Sequence, residues 1–334
     1  MRVLLTGATG FLGYRILERL AGTDSIESIT AAGRTLKPTH TVIHPKVSYI
    51  LGNLEDQEYA FKLAKDIDLI INAAALSSPW GKETDFIKAN VQTQVNLINA
   101  ALKFKINRFI YISTPGIYFN SKDRFLIKES DPLPSEFINA YAKTKREAEI
   151  LLENSKIPYI ILRPRALTGR GDTVIMPRLI RAYDEGKLRI IGNGKNRVDL
   201  TSVANVVQAV MLSIKADHNA LNQAYNISNG EPVALWECIE YVLSLLGKEM
   251  PQKKIPYSVA IVVAQLLELK SKVTNYKEPP LTKYGIGTLA RSFTMDITKA
   301  RELLKYKPEV TTKQAIEEFA NWYLNDERSK TISE

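Results

Sequence analysis

The sequence predicts an α/β protein, a doubly wound and mostly parallel sheet followed by a smaller C-terminal lobe. Three observations carry that prediction. The first half alternates short β-branched runs with longer amphipathic segments, the pattern of parallel strands joined by crossover helices. Its strand-like runs show little in/out alternation, as expected of strands covered on both faces. After Arg163 the pattern loosens into shorter elements with glycine-rich turns, GRGD at Gly169 and GNGK at Gly192.

Taken in order, RVLLT is the first strand and FLGYRILERLA its helix. SITAAGR and DLIINAA are further strands, the latter followed by a long helical segment from Thr84 to Phe104. NRFIYIS, a helix around Tyr141 and PYIILR complete the half, and VDLTSVANVVQAV, from Val198, returns to a strand and a helix. The expected organisation is therefore a first domain built on the sheet over 1–165, with 197–228 returning to it. A second lobe is expected from 166–196 and 229–324, with a polar, frayed tail over 325–334. IPYSVAIVVAQLLELK, from Ile255, falls short of the roughly 20 apolar residues of a spanning helix. It reads as a buried helix lining an apolar pocket, and no integral membrane segment is expected.

Composition excludes several classes. The chain has 334 residues and a formal net charge of +9. Its lysines are scattered, without a basic block interleaved with aromatics, so no nucleic-acid surface is expected. Cys238 is the only cysteine, which excludes an internal disulfide and a cysteine metal cluster. His40, His44 and His218 form no cluster with carboxylates, and no metal is expected. The N-terminus runs straight into glycines and does not resemble a secretory signal, which points to the cytoplasm.

Two motifs carry chemistry. The opening strand runs into Thr6-Gly7-Ala8-Thr9-Gly10-Phe11-Leu12-Gly13 and then into a helix. Glycines there let the backbone turn tightly and approach a pyrophosphate, while the helix N-terminus offers free N–H groups, a Rossmann-type arrangement. In NAYAKTKREAE, Tyr141 and Lys145 lie four apart on one helical face. That pair is either ordinary packing of a phenol on a lysine stem or an acid/base pair, because a neighbouring ammonium lowers a phenol's pKa.

TGATGFLG together with YAKTK resembles the short-chain dehydrogenase/reductase superfamily in its extended branch, the epimerase/dehydratase type. The resemblance makes Tyr141 the general acid/base and Lys145 the residue that depresses its pKa and bonds the nicotinamide ribose. Thr114, in YISTPGIYF, would hold the substrate oxygen, with Ser113 the alternative, and Asn90 in KANVQTQVN matches a family asparagine. It further implies that Gly7, Thr9, Gly10, Phe11, Leu12 and Gly13 hold the cofactor with Asn53, Leu54, Ala73, Ala74 and Ala75. Tyr141, Lys145, Pro164, Ala166 and Leu167 complete that set. Arg34, where NAD enzymes place a carboxylate, favours NADP, with NAD the alternative.

SSPWG, STPGIYF, RPRALTGRGD and EPPLTKYGIGTLARSFTMDITKARELL resemble the 3β-hydroxysteroid dehydrogenase-like group, most closely the bacterial 2-alkyl-3-oxoalkanoate reductases. That implies a ketone/alcohol oxidoreductase acting on a small hydrophobic molecule, with Ser78, Trp80 and Tyr118 toward the substrate. Homodimers paired through the helices at Thr84 to Phe104 and Ala140 to Ser155 are a further implication. Two other readings compete. A nucleotide-sugar epimerase or dehydratase with retained NAD is disfavoured by Ala166, which cannot make the family asparagine's phosphate bond. A non-catalytic NADP sensor has no use for Tyr141, Lys145 and Thr114 together.

Overall fold

The computed structural model describes the backbone of residues 1–332 and the side chains through Asn325. Its first part runs β1 Arg2–Thr6, α1 Phe11–Ala21, β2 Ser28–Gly33, β3 Val47–Leu51, α2 Gln57–Ala64, β4 Leu69–Asn72, α3 Glu83–Phe86, α4 Thr93–Lys103 and β5 Arg108–Ile112. The middle adds β6 Arg124–Ile127, α5 Ala140–Glu153, β7 Tyr159–Pro164, β8 Leu167–Thr168, α6 Ile175–Asp184, β9 Ile190–Ile191, β10 Arg197–Val198, β11 Thr201–Ser202, α7 Val203–Ile214 and β12 Gln223–Ile227. The last part holds β13 Val233–Ala234, α8 Leu235–Leu245, β14 Lys254–Ile255, α9 Tyr257–Val273, α10 Lys283–Ala290, β15 Phe293–Met295, α11 Thr298–Leu303 and α12 Thr312–Ile332.

Seven strands form one parallel sheet in the order β12-β7-β5-β4-β1-β2-β3. Successive residues of each strand face opposite sides, so one strand feeds two cores. Val3 and Leu5 of β1 join the layer with α1 and α7, whereas Leu4 joins the layer with α2, α4 and α5. This double burial explains the runs without alternation. The chain steps outward from β1 through β2 to β3, then returns to β4 and steps the other way. Strand order therefore reverses between β1 and β4, and their carboxyl ends open the crevice where ligands of such sheets bind.

A second sheet, β13-β10-β15-β6, takes β6 from the first half of the chain and β15 from the last. Segment 197–228 divides between the two sheets: β10 lies in the second, while α7 and β12 cover and extend the first. Ile297, Ala300, Leu304 and Tyr306 pack into the first core, although they lie within the range expected for the second lobe. Helix α12 is continuous through Ile332, over most of the segment 325–334 expected to fray; residues 333 and 334 lie outside the described residues.

One expectation is overturned. The apolar segment Val259 to Leu267 is not a buried helix lining a pocket. In α9 the buried positions are Ala260, Ala264, Glu268 and Ser271, and the larger apolar side chains Val259, Val262, Val263 and Leu266 face solvent. Among the described residues, no helix is long and apolar enough to cross a membrane.

Candidate active site

The glycine turn closes β1 onto α1. Gly7 has φ +69°, and a Cβ there would lie 2.7 Å from the Ala73 carbonyl carbon and the Ala74 nitrogen. A Cβ on Gly13 would meet the Gly7 carbonyl oxygen at 2.0 Å, so α1 can pack on the turn only with glycine at that position. Gly10 caps α1 without a side-chain bond, and the first turn holds no acid. The result is a bare backbone cradle and an uncapped helix N-terminus, which fit the pyrophosphate of a dinucleotide. Phe11 and Leu12, in the first turn of α1, are half-buried.

The other expected cofactor positions rim the same sheet edge. Thr9 packs over the end of β2, where a Cβ on Gly33 would come 2.5 Å from its Oγ1. Arg34 follows, exposed, and its side chain makes no ion pair or hydrogen bond with the described residues. Asn53 is exposed and accepts a bond from the Glu55 N–H at 3.1 Å, and the Leu54 carbonyl accepts one from Asn96 at 2.9 Å. Ala73, Ala74 and Ala75 are half-buried beside the turn. Asn72 fixes that loop: its Oδ1 accepts from Thr6 Oγ1 at 2.6 Å and from the Ala74 N–H at 3.2 Å, while its amide donates to Gln94 at 2.7 Å. Pro164 ends β7, and Leu167 begins β8. Between them Ala166 sits at φ +40°, a conformation costing a β-carbon residue about 1–2 kcal/mol, held by the Thr201 N–H on its carbonyl at 3.0 Å.

Helix α5 starts at Asn139, whose Oδ1 accepts from the Ala142 N–H at 2.9 Å. Its buried stripe, Lys145, Ala148, Glu149 and Leu152, has helical spacing, so a lysine and a glutamate face the core. Tyr141 stands on the first turn, and the hydroxyls of Thr114 and Ser77 lie beside its phenol and favour its charged form. Thr114 Oγ1 also accepts from the Gly116 N–H at 3.1 Å, which orients it. The hydroxyl of Ser113, the alternative, is buried and has no hydrogen-bond partner among the described residues. Tyr284 of α10 faces the phenol from the other lobe and packs edge-on against Phe119 at 5.5 Å.

Lys145 is fully buried. Its Nζ donates to the Ile112 carbonyl at 2.5 Å and lies 4.0 Å from the Tyr111 ring centre. Burial lowers its pKa to about 7 against the opposing charge of Glu149. The expected depression of the Tyr141 phenol is not found in the protein alone. Burial raises its pKa above the ordinary value of 10.0, and Ser77 and Thr114 offset only part of this. The physical reason is that Lys145 spends its ammonium on Ile112 and is itself desolvated.

Asn90 lies in a π-helical turn, Ile87–Gln92, between α3 and α4. Its Oδ1 accepts from the Leu76 N–H at 2.8 Å and its amide donates to Thr144 Oγ1 at 3.1 Å. It thus ties the loop carrying Ser77 to α5 and makes no hydrogen bond to the Tyr141, Thr114 or Ser77 hydroxyls. Ser78 closes its own turn, donating to the Trp80 carbonyl at 2.8 Å, and Trp80 Nε1 donates to Ser271 Oγ in α9 at 2.8 Å. Tyr118, expected toward the substrate, is instead buried in the core, where its hydroxyl accepts from Arg163 and donates to Asn226. Ser77 and Tyr284 were not singled out for this site. Ser77 stands in an irregular loop with no periodicity to mark it; the signal available was Asn90, which anchors the neighbouring Leu76.

Residues 3–228 match the NAD dependent epimerase/dehydratase family. A 2-alkyl-3-oxoalkanoate reductase of Shewanella oneidensis is 28% identical, over 93% of this chain and 84% of that protein. The 3beta-hydroxysteroid-dehydrogenase/decarboxylase isoform 1 of Arabidopsis thaliana is 32% identical, over 81% of this chain and 65% of that protein. The crystal structure of UDP-glucuronic acid 4-epimerase from Bacillus cereus in complex with NAD superposes with a TM-score of 0.73, over 97% of this chain and 99% of that chain, at 23% identity, a likeness of fold.

Proposed function

The chain belongs to the NAD dependent epimerase/dehydratase family, and from that premise we propose that it is an NADP-dependent reductase interconverting a ketone and a secondary alcohol on an apolar molecule. The observation that carries the reading is the Tyr141 phenol beside the Thr114 and Ser77 hydroxyls near the carboxyl ends of β4 and β5, one helical turn from a buried lysine. Relatives described as a ketone reductase and a hydroxysteroid dehydrogenase support the same chemistry.

When bound, the dinucleotide supplies or accepts the hydride. The Gly7–Gly13 turn would hold its pyrophosphate, Arg34 its 2′-phosphate, and Lys145 its nicotinamide ribose. Tyr141 carries the proton. With its pKa raised, the phenol is protonated at neutral pH and ready to donate to a ketone oxygen, which suits the reductive direction. Thr114 and Ser77, beside that phenol, would donate to the substrate oxygen and hold it. Pairing of two copies through the outer faces of α4 and α5 belongs to the same reading, supported by the exposed Leu102 and Ile150.

Titration of the purified protein with NADPH and NADH, followed by nicotinamide fluorescence and by turnover on apolar ketones, tests this. NADPH binds more tightly, and Arg34→Ala weakens NADPH about tenfold while leaving NADH unchanged. NAD retained through purification, with no turnover on any ketone, would replace this reading with an epimerase.

A further inference from the structure

Helix α9 presents its larger apolar side chains to water. Its buried side is small or polar: Ala260, Ala264, Glu268 and Ser271. The outer side carries Val259, Val262, Leu266, Leu269 and Val273 at alternating spacings of three and four, a continuous stripe along the helix. Leu266 is 62% exposed, Leu269 60% and Val273 84%. Single exposed valines or leucines need no explanation; five aligned along one helix do.

The surroundings of the stripe are cationic. Lys253 and Lys254 stand before the helix, and Lys270, Lys272 and Lys277 at its far end. None of the five is in an ion pair with a described residue. Between residues 251 and 277 the one acid is Glu268, which is buried and bound to the Lys283 backbone N–H at 2.7 Å and to its ammonium at 3.7 Å. A second copy of the chain would bring the same positive rim against this one. A lipid surface with anionic headgroups complements both the stripe and the rim.

We propose that α9 is an interfacial helix that seats the protein on an anionic lipid surface. Trp80 joins the buried side of its C-terminal end, at Ser271, to the loop that carries Ser77, so a seated α9 is linked by one hydrogen bond to the candidate site. Delivery of an apolar ketone from that phase rests on the function proposed above; the docking itself does not.

Co-sedimentation of the full chain with phosphatidylcholine vesicles, with and without phosphatidylglycerol, at low and high salt, tests the proposal. The protein binds the phosphatidylglycerol vesicles and is released by salt. The double variant Leu266→Glu/Leu269→Glu loses binding while keeping its unfolding temperature and oligomeric state. Lys270→Glu/Lys272→Glu reduces binding on the order of tenfold. Wild-type protein left in the supernatant, or equal binding by the leucine variant, overturns the proposal. So does a leucine variant that converts an oligomer to monomers with no vesicle binding at any stage, which would make the stripe a protein interface. Turnover of a water-soluble ketone without vesicles keeps the two readings apart. Its absence alongside intact vesicle binding removes the reductase and leaves the docking.

Discussion

Lys145 and Glu149 lie one turn apart on the buried stripe of α5, and the protein surrounds them in opposite ways. Glu149 receives two hydrogen bonds from Arg163, at 2.9 and 2.7 Å, and another from Arg146 at 2.9 Å. Burial, the largest influence, works against its charge, but Arg163 together with smaller contributions from its other partners outweighs burial and leaves the carboxyl below the usual range. Arg163 in turn is held by the Tyr118 hydroxyl. Lys145 has a carbonyl and a ring face as neighbours and, among the described residues, no direct carboxylate. Compensated charge at one end of the helix makes a fixed structural joint. Uncompensated charge at the other leaves a group ready for a new partner, as sites that bind and react commonly do.

The largest expected effect separates the two ends by their readouts. Tyr141→Phe lowers turnover by about 10²- to 10⁴-fold, the usual worth of a positioned proton donor, and leaves cofactor binding and unfolding temperature unchanged. Steady-state rates beside a thermal melt check it. Full activity in the variant would dissolve the distinction at the reactive end.

At the compensated end the loss falls on stability. Glu149→Gln leaves the Arg163 guanidinium buried without its counter-charge, which costs about 3–5 kcal/mol of unfolding free energy. Urea unfolding measures this. A variant that kept its stability and lost only turnover would move Glu149 into the reactive machinery.

A smaller and pH-dependent difference belongs to Lys145. Its pKa is about 7 when folded against an ordinary 10.5. Below pH 7 the lysine is charged in both states and burial costs stability in full. Between about 7 and 10.5 the unfolded chain holds a proton that the folded chain has released, so stability rises with pH across that window and is level outside it. Lys145→Met abolishes this rise. Measured on cofactor-free protein, the variant's stability relative to wild type is greatest at and below pH 7 and falls toward pH 10.5. A difference independent of pH would show that the lysine is as well compensated as Glu149.

The same contrast explains what could be read from the chain. The parallel sheet was legible because its strands are buried on both faces, and the glycine turn because Gly7 and Gly13 admit no side chain. Tyr141 and Lys145 were legible as a spacing on one helix. The burial of Lys145 and Glu149 was not, since YAKTKREAE reads as a solvated charged face, and their partners Ile112 and Arg163 come from strands distant in sequence. Tyr118 misled because an aromatic near a reactive threonine suits either a pocket or a core. The Val259–Leu267 segment misled because hydropathy reports a preference for burial, whereas the side it turns outward is set by the neighbours packing on Ala260 and Ala264.

The smallest effect is the most discriminating for the reactive end. Ser77 and Thr114 both lie beside the Tyr141 phenol, but Thr114 is fixed by the Gly116 N–H and Ser77 rides on a loop held through Asn90 and Leu76. Deleting one hydroxyl of two leaves the phenol oriented, so Ser77→Ala lowers turnover by about 2- to 10-fold, the worth of one hydrogen bond. Asn90→Ala frees the same loop without touching the phenol, so it lowers turnover at least as far, and combining it with Ser77→Ala adds little further loss, because both changes remove one contact. Effects that simply multiplied in the double variant would mean that Asn90 acts on the reaction by a route separate from Ser77, and the uncompensated end of α5 would then hold a second polar connection to the bound substrate.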